Sequence, residues 1–303
     1  MASSKGSPIK AILYAFFANL GVAIAKTIAA AFTGSSSMFA ESLHSYADTG
    51  NQLLLLLGMH RAKRPPDKEH PLGYGKVTYF WSFMVAILLF SVGGLFSLYE
   101  GWHKLRQPEP LKYIWVALVV LGFSIVLEGL SMAGCLREVN KVRGERSLWR
   151  WLNQSRGSEL LVVFGEDFAA LLGLMLAFGF LVVASLTGDS RFDAYGSMCI
   201  GILLIIIAIF LSIRIKSLLI GRSADPELTA VIKDQIVDDK DIDEVFNIIT
   251  MQMGSQVMLA AKIRMRDDLT VNEACKKINK LEERLKEKFP EIGWCFIEPD
   301  VFS

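Results

Sequence analysis

Apolar residues in this 303-residue chain fall into long, nearly unbroken stretches, without the one-sided periodicity of a soluble amphipathic helix. Six of them, at 9–33, 38–59, 77–102, 113–136, 159–186 and 194–213, approach or exceed the roughly 20 residues that a helix needs to cross a bilayer. The pattern predicts six transmembrane helices. From residue 223 onward it changes, because charged and apolar residues mix over short distances and no further span follows. The chain thus reads as a transmembrane domain, 1–222, and a soluble domain, 223–303. In the second, helix 226–238, strand 245–253, strand 256–266, helix 270–288 and strand 294–299 follow in αββαβ order, punctuated by turn signals at 253–256 and 266–270.

Composition agrees with this division: 52% hydrophobic residues and a mean hydropathy of +0.38 exclude an ordinary soluble enzyme. The net charge of +1 points to no partner class, and no nucleic acid is expected. Short cytoplasmic loops carry the excess of Lys and Arg in membrane proteins. Arg61, Lys63, Arg64, Lys68 and Lys76 follow span two; Arg137, Lys141, Arg143, Arg146, Arg150 and Arg156 follow span four; Arg214, Lys216 and Arg222 follow span six. Both termini are therefore expected in the cytoplasm, although Lys104, Arg106 and Lys112 in an outward loop run against the trend. Cys135, Cys199, Cys275 and Cys295 form no CxxC pair and read as ordinary thiols. The N-terminal MASSKGSPIK lacks a signal-peptide pattern, so the first span is expected to direct insertion, and a bacterial cytoplasmic membrane is the expected setting, with an organellar membrane as the second.

The candidate chemistry lies inside the spans. His44 and Asp48 share span two, while Glu166 and Asp167 share span five. An ionised side chain at the bilayer centre costs about 3 kcal/mol or more and marks an ion path, a proton relay or a partner charge. Lys26, the one basic residue well inside a span, leaves this group net negative, and a missing cation is the economical explanation. The i, i+4 spacing puts His44 and Asp48 on one helix face, whereas Glu166 and Asp167, as neighbours, diverge by about 100°. Glu41 reads as interfacial; Asn19, Asn51 and Gln52 either line a cavity or bond between helices; Glu128 reads as part of a proton path or as an interfacial acid. Imidazole with several carboxylates suits zinc, iron or manganese better than calcium or magnesium. The rival reading of His44 and Asp48 is a hydrogen-bonded pair joining helices. Ser91, Gly93, Gly94 and Ser97 in span three, and Gly196, Ser197 and Gly201 in span six, predict close helix approach.

The stretches ESLHSYAD, RPPDKEHPLGYGKVTYFW, EDFAALLG, DAYGSMCIGILL and LLIGRSADPEL, in this order, resemble the cation diffusion facilitator (cation efflux) family of divalent-metal transporters over nearly the whole chain. The resemblance implies an α-helical membrane protein of six transmembrane helices with a C-terminal α+β ferredoxin-like cytoplasmic domain that dimerises. It implies a homodimer that exchanges a metal ion for protons by alternating access. The family's transport site falls on His44, Asp48, Val163 and Asp167; valine cannot bind metal, and Glu166 is the substitute. This harder donor set admits iron(II), manganese or cobalt beside zinc as the transported substrate, with no permanently bound cofactor. A second family site falls on Asp67 and His70 in the loop after span two, with Tyr74 at the third ligand position. The soluble domain has no histidine, so no binuclear zinc site is expected there, and Asp234, Asp238, Asp239 and Glu298 read as solvated surface. Two rivals stand beside the transporter. An intramembrane metalloenzyme finds no HExxH or nucleophile motif, so no enzyme is expected; a non-transporting scaffold would explain Val163.

Overall fold

The computed structural model describes residues 7–33, 36–107 and 114–302, and only the backbone of residues 30, 32, 33 and 36–44. The elements run α1 (Pro8–Thr33), α2 (Ser36–Ala62), α3 (Val77–Leu88), a π-helical segment (Leu89–Leu95), α4 (Phe96–Arg106), α5 (Ile114–Arg143), α6 (Leu148–Gln154), α7 (Ser158–Thr187), α8 (Arg191–Ile220), α9 (Pro226–Val237), β1 (Ile242–Met253), β2 (Gln256–Met265), α10 (Val271–Lys288) and β3 (Ile292–Pro299). They form two compact units: Met1–His60, Tyr79–Asn153 and Ser158–Lys216 make one, and Arg61–Thr78, Gln154–Gly157 and Ser217–Ser303 the other.

The first unit is a helical membrane domain. Five helices among the described residues have the length and apolar content to span a bilayer: Pro8–Ala29, Val77–Arg106, Ile114–Arg143, Ser158–Thr187 and Arg191–Ile220. The sixth expected span is α2, whose 27 residues are long enough to cross. Its Asp48, Asn51 and Gln52 make it more polar than the others. Helices also outrun the apolar stretches, α5 reaching Arg143 where hydropathy ends near residue 136, because a helix does not stop where hydrocarbon does. The π-helical segment was not legible in the pattern. It coincides with Gly93 and Gly94 on the contact with α8, where a Cβ on Gly94 would come within 2.6 Å of Ile205. Gly201 meets this surface from α8, its Cβ position lying 2.9 Å from the Gly94 carbonyl.

Near the end of α4, Lys104 pairs with Glu100 of its own helix (3.1 Å) and Asp193 of α8 (3.2 Å), and Arg106 stacks over Trp102. Two of the basic residues that ran against the charge trend are therefore engaged in or around a helix end rather than standing in an open loop. Lys112 lies outside the described residues.

In the second unit, α9 and α10 pack on one mixed sheet of order β1-β2-β3, with β1 antiparallel and β3 parallel to β2. Strand alternation buries Val257, Leu259, Ala261 and Ile263 on one face, and the last three share a core with Ile232 and Ile236 of α9 and Leu281 and Leu285 of α10. The expected αββαβ order is present, and β1 begins at Ile242 rather than 245 because pairing continues through register irregularities. Both helices start where their caps dictate: Asp225 accepts from the Glu227 amide ahead of Pro226, and Thr270 with Glu273 forms a capping box. A two-residue turn at Gly254 (φ 70°) closes the β1–β2 hairpin.

Candidate functional site

Neighbouring positions on α7 send Glu166 and Asp167 to different helices. Asn51 Nδ2 donates to Glu166 Oε1 at 3.1 Å and Gln52 Nε2 to Oε2 at 2.8 Å, so α2 holds both oxygens of Glu166. Ser131 Oγ of α5 donates to Asp167 Oδ2 at 2.9 Å. Glu166 is 9% exposed and Asp167 1%, and among the described residues neither has a Lys or Arg at ion-pair distance. Among the described residues, the two buried acids are thus met by neutral donors, which orient a carboxylate without neutralising it.

Other acids gather nearby. Asp48, half-buried on α2, lies within electrostatic reach of both Glu166 and Glu128. Glu128 of α5, 3% exposed, also senses Asp167 and Lys26 of α1. His44 stands one helical turn before Asp48 on α2, and its side chain, like that of Glu41, lies outside the described residues. Val163 is fully buried among the apolar residues of α7. Among the described residues no three His, Cys, Asp or Glu side chains close into a metal cage. The arrangement is a set of carboxylates distributed over α2, α5 and α7, able to receive a cation or protons.

Asn51 and Gln52 bond between helices, from α2 to Glu166 of α7, whereas among the described residues Asn19 makes no hydrogen bond to these acids. Sequence reasoning missed Ser131. Its signal was a serine three residues past Glu128 in an otherwise apolar helix, one turn along the same face.

The loop after α2 is built differently. Asp67 Oδ1 accepts the backbone N–H of Glu69 (3.0 Å) and His70 (2.7 Å), and Tyr74 Oη donates to Oδ2 at 2.6 Å. The His70 and Tyr74 rings lie 4.3 Å apart, and His70 Nδ1 stays 3.6 Å from Asp67. The Tyr74 hydroxyl first, then the His70 amide, holds the exposed Asp67 carboxyl below its ordinary range, and the same bond pushes the Tyr74 phenol up. Asp67, His70 and Tyr74 do come together, but as a clasp closed by the protein's own donors. The loop continues onto the hairpin of the same unit: a Cβ on Gly75 would lie 2.2 Å from the Met253 carbonyl oxygen, so only glycine fits there. Arg156 adds a further tie, donating to the Ser223 (2.7 Å) and Ala224 (3.2 Å) carbonyls. Of the C-terminal acids, Asp239 pairs with Arg284, while Asp234, Asp238 and Glu298 are exposed.

The family model for the cation efflux transmembrane domain matches residues 12–220, and that for the cation efflux protein cytoplasmic domain matches residues 224–300. A Xenopus laevis protein named proton-coupled zinc antiporter SLC30A9, mitochondrial, is 34% identical over 241 residues, covering 78% of this chain and 43% of its own length. The human protein of that name is 30% identical over 249 residues, covering 82% of this chain and 44% of its own. The manganese efflux system protein MneP of Bacillus subtilis is 22% identical over 290 residues, or 93% of this chain and 92% of its own. The chain therefore spans less than half the length of the antiporters it matches, and nearly the full length of the Bacillus protein. With both halves of the chain matched in order, and buried acids on α7 where one of the sequence motifs lies, the chain belongs to the cation efflux, or cation diffusion facilitator, family, a family of membrane transporters and not of enzymes.

Proposed function

We propose that this protein exports a divalent transition-metal cation in exchange for protons, with His44, Asp48, Glu166 and Asp167 as the transport site. One observation carries the reading. Glu166 and Asp167 are buried in an apolar helix and, among the described residues, have neutral donors and no Lys or Arg beside them, an arrangement whose natural complement is a mobile positive charge. Metal and protons compete for the same lone pairs, so loading one expels the other. Alternating access follows when the two conformations differ in their affinity for the ion. Relatives named for zinc and for manganese fit a donor set of one imidazole and several carboxylates, which accepts both, and iron or cobalt between them.

The soluble domain is proposed to pair with that of a second copy, as the matched cytoplasmic domain suggests. The protein is multi-pass in its membrane, and the basic loops support a common side for both termini. The expectation of a bacterial cytoplasmic membrane finds no support in the comparisons, since the frog and human relatives carry the word mitochondrial in their names. In the loop, a metal at Asp67 and His70 would have to displace the Tyr74 hydroxyl, which makes that site secondary to the membrane site.

The test is metal flux in proteoliposomes under an imposed pH gradient, with zinc, manganese, iron and cobalt. Metal moving against protons, and stopping in Asp167→Ala, supports the reading; a wild-type protein that moves none of the four overturns it. A second reading has its own observation: Val163, at a ligand position, is a fully buried aliphatic residue, as in a scaffold that kept the fold without transport. Absent flux together with an unchanged cellular phenotype in Asp48→Ala would favour the scaffold.

A further inference from the structure

One buried acid is left over. Ser124, Glu128, Ser131 and Cys135 form a single stripe of α5, at 0%, 3%, 2% and 0% exposure, in a helix that packs against α1 and α7. Ser131 on this stripe is bonded to Asp167, but Glu128 Oε2 and Ser124 Oγ have no hydrogen-bond partner among the described residues. Two polar atoms aimed into the helix bundle and left without donors or acceptors are costly unless something else meets them.

Their position along the membrane says what. Asn51 and Gln52 hold Glu166, and three residues before Asn51 stands Asp48; Ser131 holds Asp167, and three residues before it stands Glu128. As the second and fourth spans, α2 and α5 run in the same direction, so both steps lead toward the same face of the membrane, the one on which α2 begins and His44 lies. That is the face away from the basic loops. Glu128 lies within electrostatic reach of Asp48, Asp167 and Lys26. Where both oxygens of Glu166 are tied down by amides, Oε2 of Glu128 has no hydrogen-bond partner among the described residues.

We propose that Glu128 is a further cation-binding carboxylate of the transport path, receiving the divalent metal on the side of the site away from the basic loops. The proposal rests on the transport reading above. A carboxylate oxygen is a hard donor, so adding one shifts the relative preference of the site toward manganese.

Full-length protein in proteoliposomes, assayed with Mn²⁺ and with Zn²⁺ in wild type, Glu128→Gln and Glu128→Asp, tests it, with melting temperature as the control for folding. Glu128→Gln is expected to lower Mn²⁺ flux about tenfold and Zn²⁺ flux less, with Glu128→Asp regaining part of the Mn²⁺ activity at an unchanged melting temperature. Equal fluxes in wild type and Glu128→Gln overturn the proposal, as does an equal loss for both metals with a lowered melting temperature, which marks a packing role. Should wild type move neither metal, the transport reading fails on its own, and titration of Mn²⁺ into the solubilised protein decides for Glu128: weaker binding in Glu128→Gln supports it, and unchanged or absent binding overturns it.

Discussion

Two places in this molecule resemble metal sites in sequence, and the structure builds them on opposite principles. In the loop of residues 61–78, Asp67 is exposed, and backbone amides and the Tyr74 hydroxyl occupy both of its oxygens. In the membrane domain, Glu166, Asp167 and Glu128 are buried; amides or a hydroxyl orient the first two, and the third has one oxygen without a hydrogen-bond partner among the described residues. Water meets an exposed carboxylate's needs, so the loop acid is free to serve architecture. A buried one away from cationic side chains must await an ion or a proton. Counting ligand-type residues does not separate the two cases; asking where each oxygen's partners come from does.

The contrast breaks most visibly in flux. Asp167→Ala or Asp48→Ala is expected to lower metal transport by about 100-fold or more, the upper end for losing a group at a metal centre, whereas Asp67→Ala is expected to leave most of the transport intact. Equal losses at the three positions, measured in proteoliposomes, would put the loop on the same footing as the membrane site.

Next comes the support around Glu166. Removing either amide by Asn51→Ala or Gln52→Ala strips a donor from a buried carboxylate and is expected to weaken metal affinity by about tenfold, read by titration of the solubilised protein. Ser131→Ala takes away a single hydroxyl bond from Asp167 and is expected to cost less than either. A Ser131→Ala variant weaker than Asn51→Ala would reverse the ranking of the two acids.

A smaller effect, confined to stability, is expected at the other end of the loop. Gly75→Ala forces a methyl group into the Met253 carbonyl and is expected to destabilise by about 1–3 kcal/mol, lowering the unfolding midpoint while any folded protein transports normally. An unchanged midpoint would mean that the loop does not rest on the hairpin.

The smallest change is the most diagnostic of the clasp. Tyr74→Phe deletes the largest influence on Asp67, so its carboxyl should titrate closer to the ordinary value, followed by carbon-13 chemical shift. Because the folded carboxyl titrates below its unfolded value of 3.8, the clasp contributes in full above that value and is lost as pH falls through the lowered one; neutral-pH stability should hardly move on acidification to pH 5. Tyr74→His sharpens the point from the other side, since a second imidazole beside His70 and Asp67 is expected to create zinc binding in the loop that an Asp167→Ala background makes visible.

The membrane helices and the αββαβ tail were legible because each rests on a local property: apolar length for the spans, and alternation, caps and turns for the strands and helices of the tail. Asp48, Glu166 and Asp167 were legible for the same reason, as charges in hydrocarbon need no partner information to stand out. The π-helical segment at Leu89–Leu95 was not, because it coincides with glycines on the contact with α8, and that neighbour is invisible in the local pattern.

Sequence alone thus determined the place of the long helices, the change from apolar stretches to a mixed αββαβ pattern, and which acids are candidates. Tertiary structure decided who meets them: Asn51 and Gln52 at Glu166, Ser131 at Asp167, Tyr74 at Asp67, and no hydrogen-bonding group among the described residues at Glu128 Oε2. Insertion and helix formation follow from composition summed along the chain. A carboxylate's partners instead come from other helices or from across a turn, so they exist only once those segments are packed.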